Sequence, residues 1–252
     1  MLIRLLYRKF PKLLFLIRKI TFVNKEAEMQ LLPILCHDQM TSLDVGAKFG
    51  MYTYRLKQYS KKVIAFEPIE DLNIALSNIF RKASVDIMPL ALSGTSGEIS
   101  MRTPLYKSGN PCYGRSTIEE NNPLEFEEIN GWEEFTIKTA RLDDLLIENV
   151  GFIKIDVEGH EQAVLDGALL TIQKYKPAFL IEANNSHSES AIEKLFHWAE
   201  ESGYLVFFMN DGLVLPAEKF DVSYHHHQLN MENFILIHDS DTPRLQKLAL
   251  FS

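Results

Sequence analysis

The chain has 252 residues, of which 46% are hydrophobic, so it is long enough to bury the core of one domain of ordinary size. Its formal charge of −8 is unevenly distributed, because residues 1–25 carry +7 without one acidic side chain and leave −15 for the rest. An acidic body of this kind argues against a nucleic-acid partner. The two cysteines, Cys36 and Cys112, are too few for a disulfide framework or a zinc site.

The N-terminal arm (residues 1–25) mixes Leu, Ile and Phe with cations and is interrupted by Pro11. Its longest charge-free apolar run, Leu13–Ile17, is far shorter than the roughly 20 residues that a bilayer span needs. No signal-peptide cleavage site follows, so a cytoplasmic location is expected. Two interpretations stay open: a basic segment lying on a membrane surface, or a helix packed on the main domain with its cations in water.

From Glu26 onwards, short apolar runs alternate with segments of helical periodicity, which predicts a parallel sheet covered on both faces. The predicted strands are Ser42–Val45, Lys62–Phe66, Val85–Leu92, Gly151–Ile155, Ala178–Ile181, Tyr204–Met209 and Phe234–His238. The predicted helices are Glu26–His37, Phe49–Gln58, Asp71–Arg81, Glu161–Tyr175 and Glu189–Ser202. No helical pattern separates the last two strands, so one of them is expected to run antiparallel to its neighbours. We therefore expect one domain over residues 26–252.

Residues 93–139 are rich in glycine and proline, unlike the alternating segments on either side. Two strand-like runs, Glu98–Arg102 and Glu134–Thr139, flank a long irregular excursion, which predicts a hairpin-like insertion. Long irregular segments in compact domains are commonly functional or disordered. We predict that this insertion is a lid over a substrate site.

The stretch Thr41–Tyr54 (TSLDVGAKFGMYTY) passes from a strand through Gly46 and Gly50 into a helix. Ligands of open α/β sheets bind beyond the carboxyl ends of the strands. There, Gly46 allows a tight turn and a close backbone approach, and the next helix offers free N–H groups. Glu67, about twenty residues further on, is positioned to accept hydrogen bonds from two ribose hydroxyls.

Both a nicotinamide dinucleotide and S-adenosylmethionine contain the ribose that such a site binds. The glycine spacing lacks the third glycine that seats a pyrophosphate. In addition, Asp44 would crowd a diphosphate but suit a cationic sulfonium. The residues thus favour S-adenosylmethionine.

Six stretches in order resemble the FkbM family of S-adenosylmethionine-dependent methyltransferases: LDVGAKFGMYT, VIAFEP, PLALS, TARLDDLL, FIKIDVEGHEQAVLDGA and FLIEAN. The resemblance runs from about Thr41 to about His238, and FIKIDVEGHE is its most diagnostic part. It implies an α/β, Rossmann-like class I methyltransferase fold, with a seven-stranded, mostly parallel sheet, an antiparallel last strand and helices on both faces. It also implies methyl transfer to oxygen, often on sugar hydroxyls or secondary metabolites.

The resemblance implies the cofactor-binding residues Asp44, Gly46, Ala47, Gly50, Tyr52, Thr53, Glu67, Ala91, Leu92 and Asp156. Ala91 and Leu92 would lie against the adenine, and Asp156 beside the methionine moiety. The chain departs from the family pattern at Lys48-Phe49, where Asn-Ile is usual. A cation near the sulfonium is unfavourable unless Lys48 points to solvent or to Asp44.

Asp156, Glu158, His160 and Glu161 crowd the turn after one predicted strand. Methyl transfer to a hydroxyl needs proximity and removal of a proton, so His160 or Glu158 is a candidate general base, with Asp156 beside them. Alternatively, Gly159 and Glu161 only open a helix, with acids favourable in its first turn, and His160 is solvated.

A hard divalent cation such as magnesium is a further option, since Asp156 and Glu182 end adjacent predicted strands with Asn184 nearby. The run His225–His227 is a poor metal site, because neighbours in an extended segment point to opposite faces. We expect it in a loop beside Tyr224 that flanks the acceptor.

Three aromatic residues of the insertion, Tyr106, Tyr113 and Trp132, are candidates for stacking on a sugar ring. They would equally serve to anchor a mobile loop on the core. The sequence predicts an O-methyltransferase acting on a small molecule or glycan. The alternatives are an NAD-dependent oxidoreductase and a cofactor-binding domain without turnover.

Overall fold

The computed structural model describes residues 2–22, 26–120, 122 and 127–251. Within these ranges the core is a sheet of eight strands: β1 (Thr41–Val45), β2 (Lys62–Phe66), β3 (Val85–Met88), β7 (Val150–Ile155), β8 (Ala178–Glu182), β9 (Tyr204–Asn210), β10 (Leu213–Pro216) and β11 (Asn233–His238). Their order in the sheet is β10-β9-β11-β8-β7-β1-β2-β3. β1, β2, β3, β7 and β8 pair in parallel, and β11 is antiparallel to both β8 and β9.

The antiparallel last strand and the mostly parallel α/β sheet are confirmed, but the count of seven strands is wrong by one. The additional strand β10 forms a hairpin with β9. Asp211 and Gly212 have φ of +50° and +81° at the turn, and this dipeptide is a strong hairpin signal. The strand after it has only four residues and ends in Pro216, so its sequence pattern is too short to predict a strand.

Side chains alternate between the two faces of the sheet, and each face carries its own apolar cluster. One cluster joins Ile153 and Phe179 to helices α6 (Glu161–Asp166), α7 (Leu169–Tyr175) and α8 (Ala191–Glu201). The other joins Phe152 and Leu180 to α3 (Leu32–Leu35), α4 (Met51–Leu56) and α9 (Thr242–Leu248). Helices thus cover both faces, as predicted, and the polar strand ends are left at the edge of the sheet.

Two predicted helices are shorter or broken in the structure. The segment Glu26–His37 contains a 3-10 turn (Ala27–Leu31) followed by the single turn of α3. The segment Glu161–Tyr175 divides into α6 and α7 around Gly167, where a Cβ would lie 2.1 Å from the carbonyl oxygen of Ser93. The break follows directly, because the backbone N–H groups of Leu170 and Thr171 at the start of α7 donate to the carboxylate of Asp143.

The predicted strand Val85–Leu92 also divides, because its end joins a second sheet of three strands. This smaller sheet has the order β4-β6-β5, with β4 (Ala91–Leu92), β5 (Gly97–Tyr106) and β6 (Ile129–Ala140). The hairpin of β5 and β6 confirms the two strands predicted in the insertion, although both are longer than expected. The residues of the predicted excursion that the structure describes are 107–120, 122 and 127–128.

The N-terminal arm forms two helices, α1 (Leu2–Lys9) and α2 (Pro11–Phe22), which contact α5 (Glu70–Phe80). Arg8 Nε donates to Asp71 Oδ1 at 2.6 Å, and Phe15 meets Phe80 edge to face. None of the described helices is long and apolar enough to cross a bilayer.

Candidate active site

A cavity lies at the carboxyl ends of β1, β2 and β7. The space between its lining residues, open solvent included, is about 510 Å³. Its wall includes Gly46, Lys48, Phe66, Glu67, Ile69, Ala91, Leu92, Tyr113, Ser116, Ile118, Asp156, Glu158 and His160. Of the predicted site residues, Gly46, Glu67, Ala91, Leu92, Asp156, Glu158 and His160 are therefore brought together.

Gly46 lets the loop after β1 approach β7 closely. Its φ is +78°, and a Cβ would lie only 1.9 Å from the carbonyl oxygen of Asp156. Any side chain here would force the two strand ends apart. The glycine therefore fixes the width of the cavity floor.

Glu67 follows β2 and holds the loop from the opposite side. Its Oε2 accepts from the backbone N–H of Lys48 and its Oε1 from that of Ile69, both at 2.8 Å. Burial raises the pKa of Glu67 to about 8. Each oxygen accepts one backbone N–H and has the capacity for a second hydrogen bond.

Lys48 points into the cavity and pairs with Asp156 and Glu158, so neither of the two directions that would keep its charge away from a sulfonium, towards solvent or towards Asp44, is adopted. Its Nζ lies 2.8 Å from Asp156 Oδ1 and 2.6 Å from Glu158 Oε1. Burial favours the neutral amine, but these two carboxylates outweigh it and raise the pKa of Lys48 well above its usual value. The ammonium is thus held charged inside the wall of the site.

A second lysine, Lys154, approaches the same carboxylate from within β7. Its Nζ lies 2.6 Å from Asp156 Oδ2, and the residue is 4% exposed. Burial opposes the ionisation of Asp156, but the two ammonium groups hold its pKa well below the usual range. Asp156 therefore stays ionised and is a poor proton acceptor.

Asp156, Glu158 and Glu182 form an acidic trio whose nearest oxygens all lie within 4.8 Å of one another. The charge of Asp156, together with burial, raises the pKa of Glu182 well above its usual value. The trio has the oxygen ligands that a hard cation prefers, and it includes the pair Asp156 and Glu182 that the sequence singled out. The ammonium of Lys48 already contacts two of the three carboxylates.

The other predicted cofactor residues do not contribute to the described wall of the cavity. Asp44 is fully buried in β1 and accepts a hydrogen bond from the hydroxyl of Thr53. Burial raises its pKa. Ala47 packs with Leu76, and Gly50 and Tyr52 are likewise in contact with the core. In this structure these residues support the glycine loop from behind.

His160 lines the cavity, but both ring nitrogens have partners. Nδ1 contacts the carboxylate of Glu119, and Nε2 lies 2.9 Å from Ser93 Oγ. A carboxylate at Nδ1 fixes the proton there, so Nε2 accepts from the serine hydroxyl. His160 is therefore neither solvated nor free to take a proton from a ligand without losing a contact.

Behind Glu158, outside the described wall of the cavity, lies a histidine that the sequence did not indicate. His187 Nε2 lies 3.4 Å from Glu158 Oε2, on the side opposite the Lys48 contact. Burial lowers the pKa of His187 below its usual value, so the ring is neutral at pH 7. The sequence offers one indication of this residue: His187 follows β8, the strand that pairs with β7, and Asp156 directly follows β7.

The excursion covers the cavity and is attached to the turn after β7. Thr117 Oγ1 and Asn122 Nδ2 both donate to the carbonyl oxygen of Glu158, at 2.9 and 2.8 Å. Tyr113 lines the cavity and donates its hydroxyl to Asp71 Oδ2 at 2.8 Å. These contacts are those expected of a lid, which remains a proposal.

Two of the three aromatic candidates in the insertion lie elsewhere: Trp132 is 51% exposed near Arg102, and Tyr106 accepts from Cys112 Sγ. Neither belongs to the described cavity wall. His225 and His226 lie in a π-helical turn, Val222–His226, and not in the expected loop, and His225 packs on Phe208 and Phe220.

We expect the substitution Lys48→Met to lower the free energy of unfolding by about 3 kcal/mol at pH 7, because it leaves buried carboxylates without their partner. The depressed pKa of Asp156 stabilises the fold above the usual carboxyl pKa, and this contribution is lost as the pH falls. The difference between wild type and variant should therefore persist from pH 7 to about pH 4 and shrink as the pH falls below the usual carboxyl pKa of 3.8. Urea denaturation at several pH values measures it.

Lys62→Met is the matched control, since Lys62 forms an equally short but exposed ion pair with Asp86, at 2.6 Å. Exposed pairs contribute about 0–1 kcal/mol. Equal losses for both variants, or a loss at Lys48 that does not change with pH, would contradict the assignment of a buried charge cluster.

Comparison with known proteins identifies the domain. The family model of the methyltransferase FkbM domain matches residues 44–206, more than half of the chain. No curated protein matches this chain. Among solved structures, methyltransferase FkbM from Methylobacillus flagellatus KT superimposes with a TM-score of 0.53 at 16% identity, covering 80% of this chain. The match spans only 44% of that protein, and at this identity it shows a shared fold and no more.

Two further structures are similar at lower scores. They are an rRNA methylase from Streptococcus thermophilus (12% identity, 83% and 91% of the two chains, TM-score 0.45) and SMU.1697c from Streptococcus mutans in complex with SAH (10%, 83% and 93%, 0.46). At TM-scores below 0.5 these similarities say nothing about the acceptor of this chain. The family match is sufficient by itself: the chain belongs to the FkbM family of S-adenosylmethionine-dependent methyltransferases, as its motifs predicted.

Proposed function

We propose that this protein transfers a methyl group from S-adenosylmethionine to a hydroxyl of a sugar, a glycan or a secondary metabolite. The observation that carries the proposal is the cavity at the strand ends, in which an apolar surface and a buried carboxylate face each other inside an FkbM domain. When bound, S-adenosylmethionine supplies an electrophilic methyl group. The residues have to hold it, exclude water and remove the acceptor's proton.

The wall of the cavity fits the parts of this cofactor. Phe66, Ala91 and Leu92 offer an apolar surface for the adenine. Glu67 retains lone pairs for the two ribose hydroxyls, since each of its oxygens accepts only one backbone N–H. Gly46 permits the close approach of the loop after β1 to the carbonyl oxygen of Asp156, which brings two walls of the cavity together. These features support Gly46, Glu67, Ala91 and Leu92 as cofactor-binding residues, and the same role for Asp156, which also lines the cavity, stays a prediction.

We propose His187, oriented by Glu158, as the general base, in preference to His160 or Asp156. Asp156 is held ionised by two lysines, and both nitrogens of His160 have partners. If His187 Nε2 donates to Glu158, its Nδ1 carries the lone pair that accepts a hydroxyl proton. The lowered pKa of His187 keeps that lone pair available at neutral pH.

We also propose that Lys48 serves as the cation of the acidic trio, so that turnover needs no divalent metal such as magnesium. Lys48 Nζ contacts Asp156 and Glu158 within 2.8 Å, and a metal bound by the trio would have to displace it. A cytoplasmic location, the absence of a nucleic-acid partner and the lid role of residues 93–139 stay predictions.

S-adenosylmethionine and its demethylated product should raise the melting temperature of the protein, because they bind the native state, whereas NAD should not. Glu67→Ala should weaken cofactor binding by about 1–3 kcal/mol through lost hydrogen bonds. Glu200→Ala, an exposed position on α8, is the control. Calorimetric titration measures the affinities, and stabilisation by NAD alone would contradict the proposal.

His187→Gln should lower kcat by about 100-fold or more, the usual contribution of a general base, and leave the affinity for S-adenosylmethionine unchanged. His197→Gln is the control, since His197 Nε2 lies at the same 3.4 Å from Glu201 on the exposed side of α8. Methyl transfer from labelled cofactor onto a panel of sugars and lipid-linked glycans provides the assay. Full activity of His187→Gln, with loss in His160→Gln, would reassign the base.

Activity should be the same in EDTA as with added magnesium. In Lys48→Met, where the trio loses its ammonium, magnesium should raise the melting temperature, as a ligand of the native state does; in the wild type it should not. Loss of wild-type activity in EDTA that magnesium restores would show that the trio holds a metal.

A further inference from the structure

Helix α2 exposes more apolar side chains than an ordinary surface helix. Its exposed residues recur with helical period, and four of the six are large and apolar: Lys12, Leu13, Leu16, Ile17, Ile20 and Thr21. A surface helix normally presents its apolar side to the core and its charges to water. In α2, two cations, Arg18 and Lys19, are half-buried on the inner side together with Leu14 and Phe15.

The inward cations have specific partners. The guanidinium of Arg18 lies 3.5 Å from the ring centroid of Phe49 and donates to the hydroxyl of Tyr7 at 2.6 Å. Lys19 Nζ donates to the hydroxyl of Tyr54 at 2.7 Å and lies 4.4 Å from its ring centroid. These contacts fix the rotation of α2 about its axis. The outward direction of the aliphatic residues therefore follows from packing.

The outer face, defined as Phe10, Leu13, Leu16, Ile17 and Ile20, has exposed fractions of 53%, 56%, 53%, 51% and 70%. In the ranges that the structure describes, these side chains form the largest group of exposed apolar residues near one another in sequence. Scattered exposed apolar residues are ordinary, but a contiguous exposed patch indicates a binding surface.

Exposed cations lie beside this face. Lys12 and Leu13 share a surface hollow with Arg81, and Lys82 lies next to it. Lys9 is also exposed. The arm contributes no acidic side chain to this surface. An apolar strip with cations at its rim matches the interface of a bilayer that contains anionic lipids.

We propose that the outer face of α2 docks the protein on the surface of a membrane that contains anionic lipid. The aliphatic side chains would enter the boundary between head groups and acyl chains, and Lys9, Lys12, Arg81 and Lys82 would contact lipid phosphates. A second copy of this chain is a poorer occupant, because a twofold contact through this face would bring the two sets of cations together. This inference is independent of the methyl-transfer proposal.

Flotation of the full-length protein with phosphatidylcholine vesicles, with and without phosphatidylserine, tests the inference. The wild type should float with the anionic vesicles and do so less as salt is added. Leu16→Ser/Ile20→Ser should reduce the partition coefficient about tenfold or more, because two apolar side chains no longer insert. The control is Leu169→Ser/Leu170→Ser, which alters two exposed leucines of α7 (52% and 65%).

A second variant, Lys12→Glu/Lys82→Glu, should lose binding to anionic vesicles and remain folded. Melting temperatures within about 2 °C of wild type show that all variants are folded. Failure of the wild type to float with anionic vesicles at low salt would overturn the proposal, as would equal flotation of wild type and the α2 variant. A dimer in light scattering that Leu16→Ser/Ile20→Ser converts to monomer would assign the face to a second copy instead.

Discussion

Lys48 joins three walls of the cavity, which come from distant segments of the chain. Its backbone N–H belongs to the glycine loop and donates to Glu67 after β2. Its Nζ contacts Asp156 and Glu158 after β7, and lies 3.3 Å from the carbonyl oxygen of Gly114 in the excursion. Lys48 has a φ of +47° and Glu158 of +56°, which non-glycine residues adopt only where the surroundings compensate the strain. The charge cluster provides that compensation.

The sheet could be predicted from the sequence because its central strands are continuous apolar runs that end in acids. β10 was not predicted, because a four-residue strand that ends in proline is too short to show an alternating pattern. The dipeptide Asp211-Gly212 before it is nevertheless a hairpin signal. One helix was predicted over Glu161–Tyr175, because a helical pattern of apolar residues contains no information about the tertiary contacts around Gly167, such as its close approach to the Ser93 carbonyl. What the sequence could not provide was tertiary packing.

The candidate site shows the same division. Strand-end acids and glycines could be predicted as neighbours, and Gly46, Glu67 and Asp156 do line one cavity. The direction of the Lys48 side chain could not be predicted, because a lysine in a loop normally points to solvent. It points inwards here only because carboxylates that follow another strand bind its ammonium group. Lys154 lies within the apolar run FIKID, and a lysine in such a run indicates a buried ion pair, which was not predicted from the sequence. His187 becomes a candidate only when Glu158 is known to face it.

The balance of charge in this cluster bears on the choice of cofactor. Four carboxyl groups, Asp44, Asp156, Glu158 and Glu182, share the region with two ammonium groups, those of Lys48 and Lys154. The pKa values of Asp44 and Glu182 are both raised, that of Asp44 chiefly by burial and that of Glu182 chiefly by the charge of Asp156. A further negative charge is therefore unfavourable in this region unless a cation lies beside it. A sulfonium in the cavity would supply such a cation, whereas the thioether left after methyl transfer is neutral, so we expect the protein to bind the cofactor more tightly than its product.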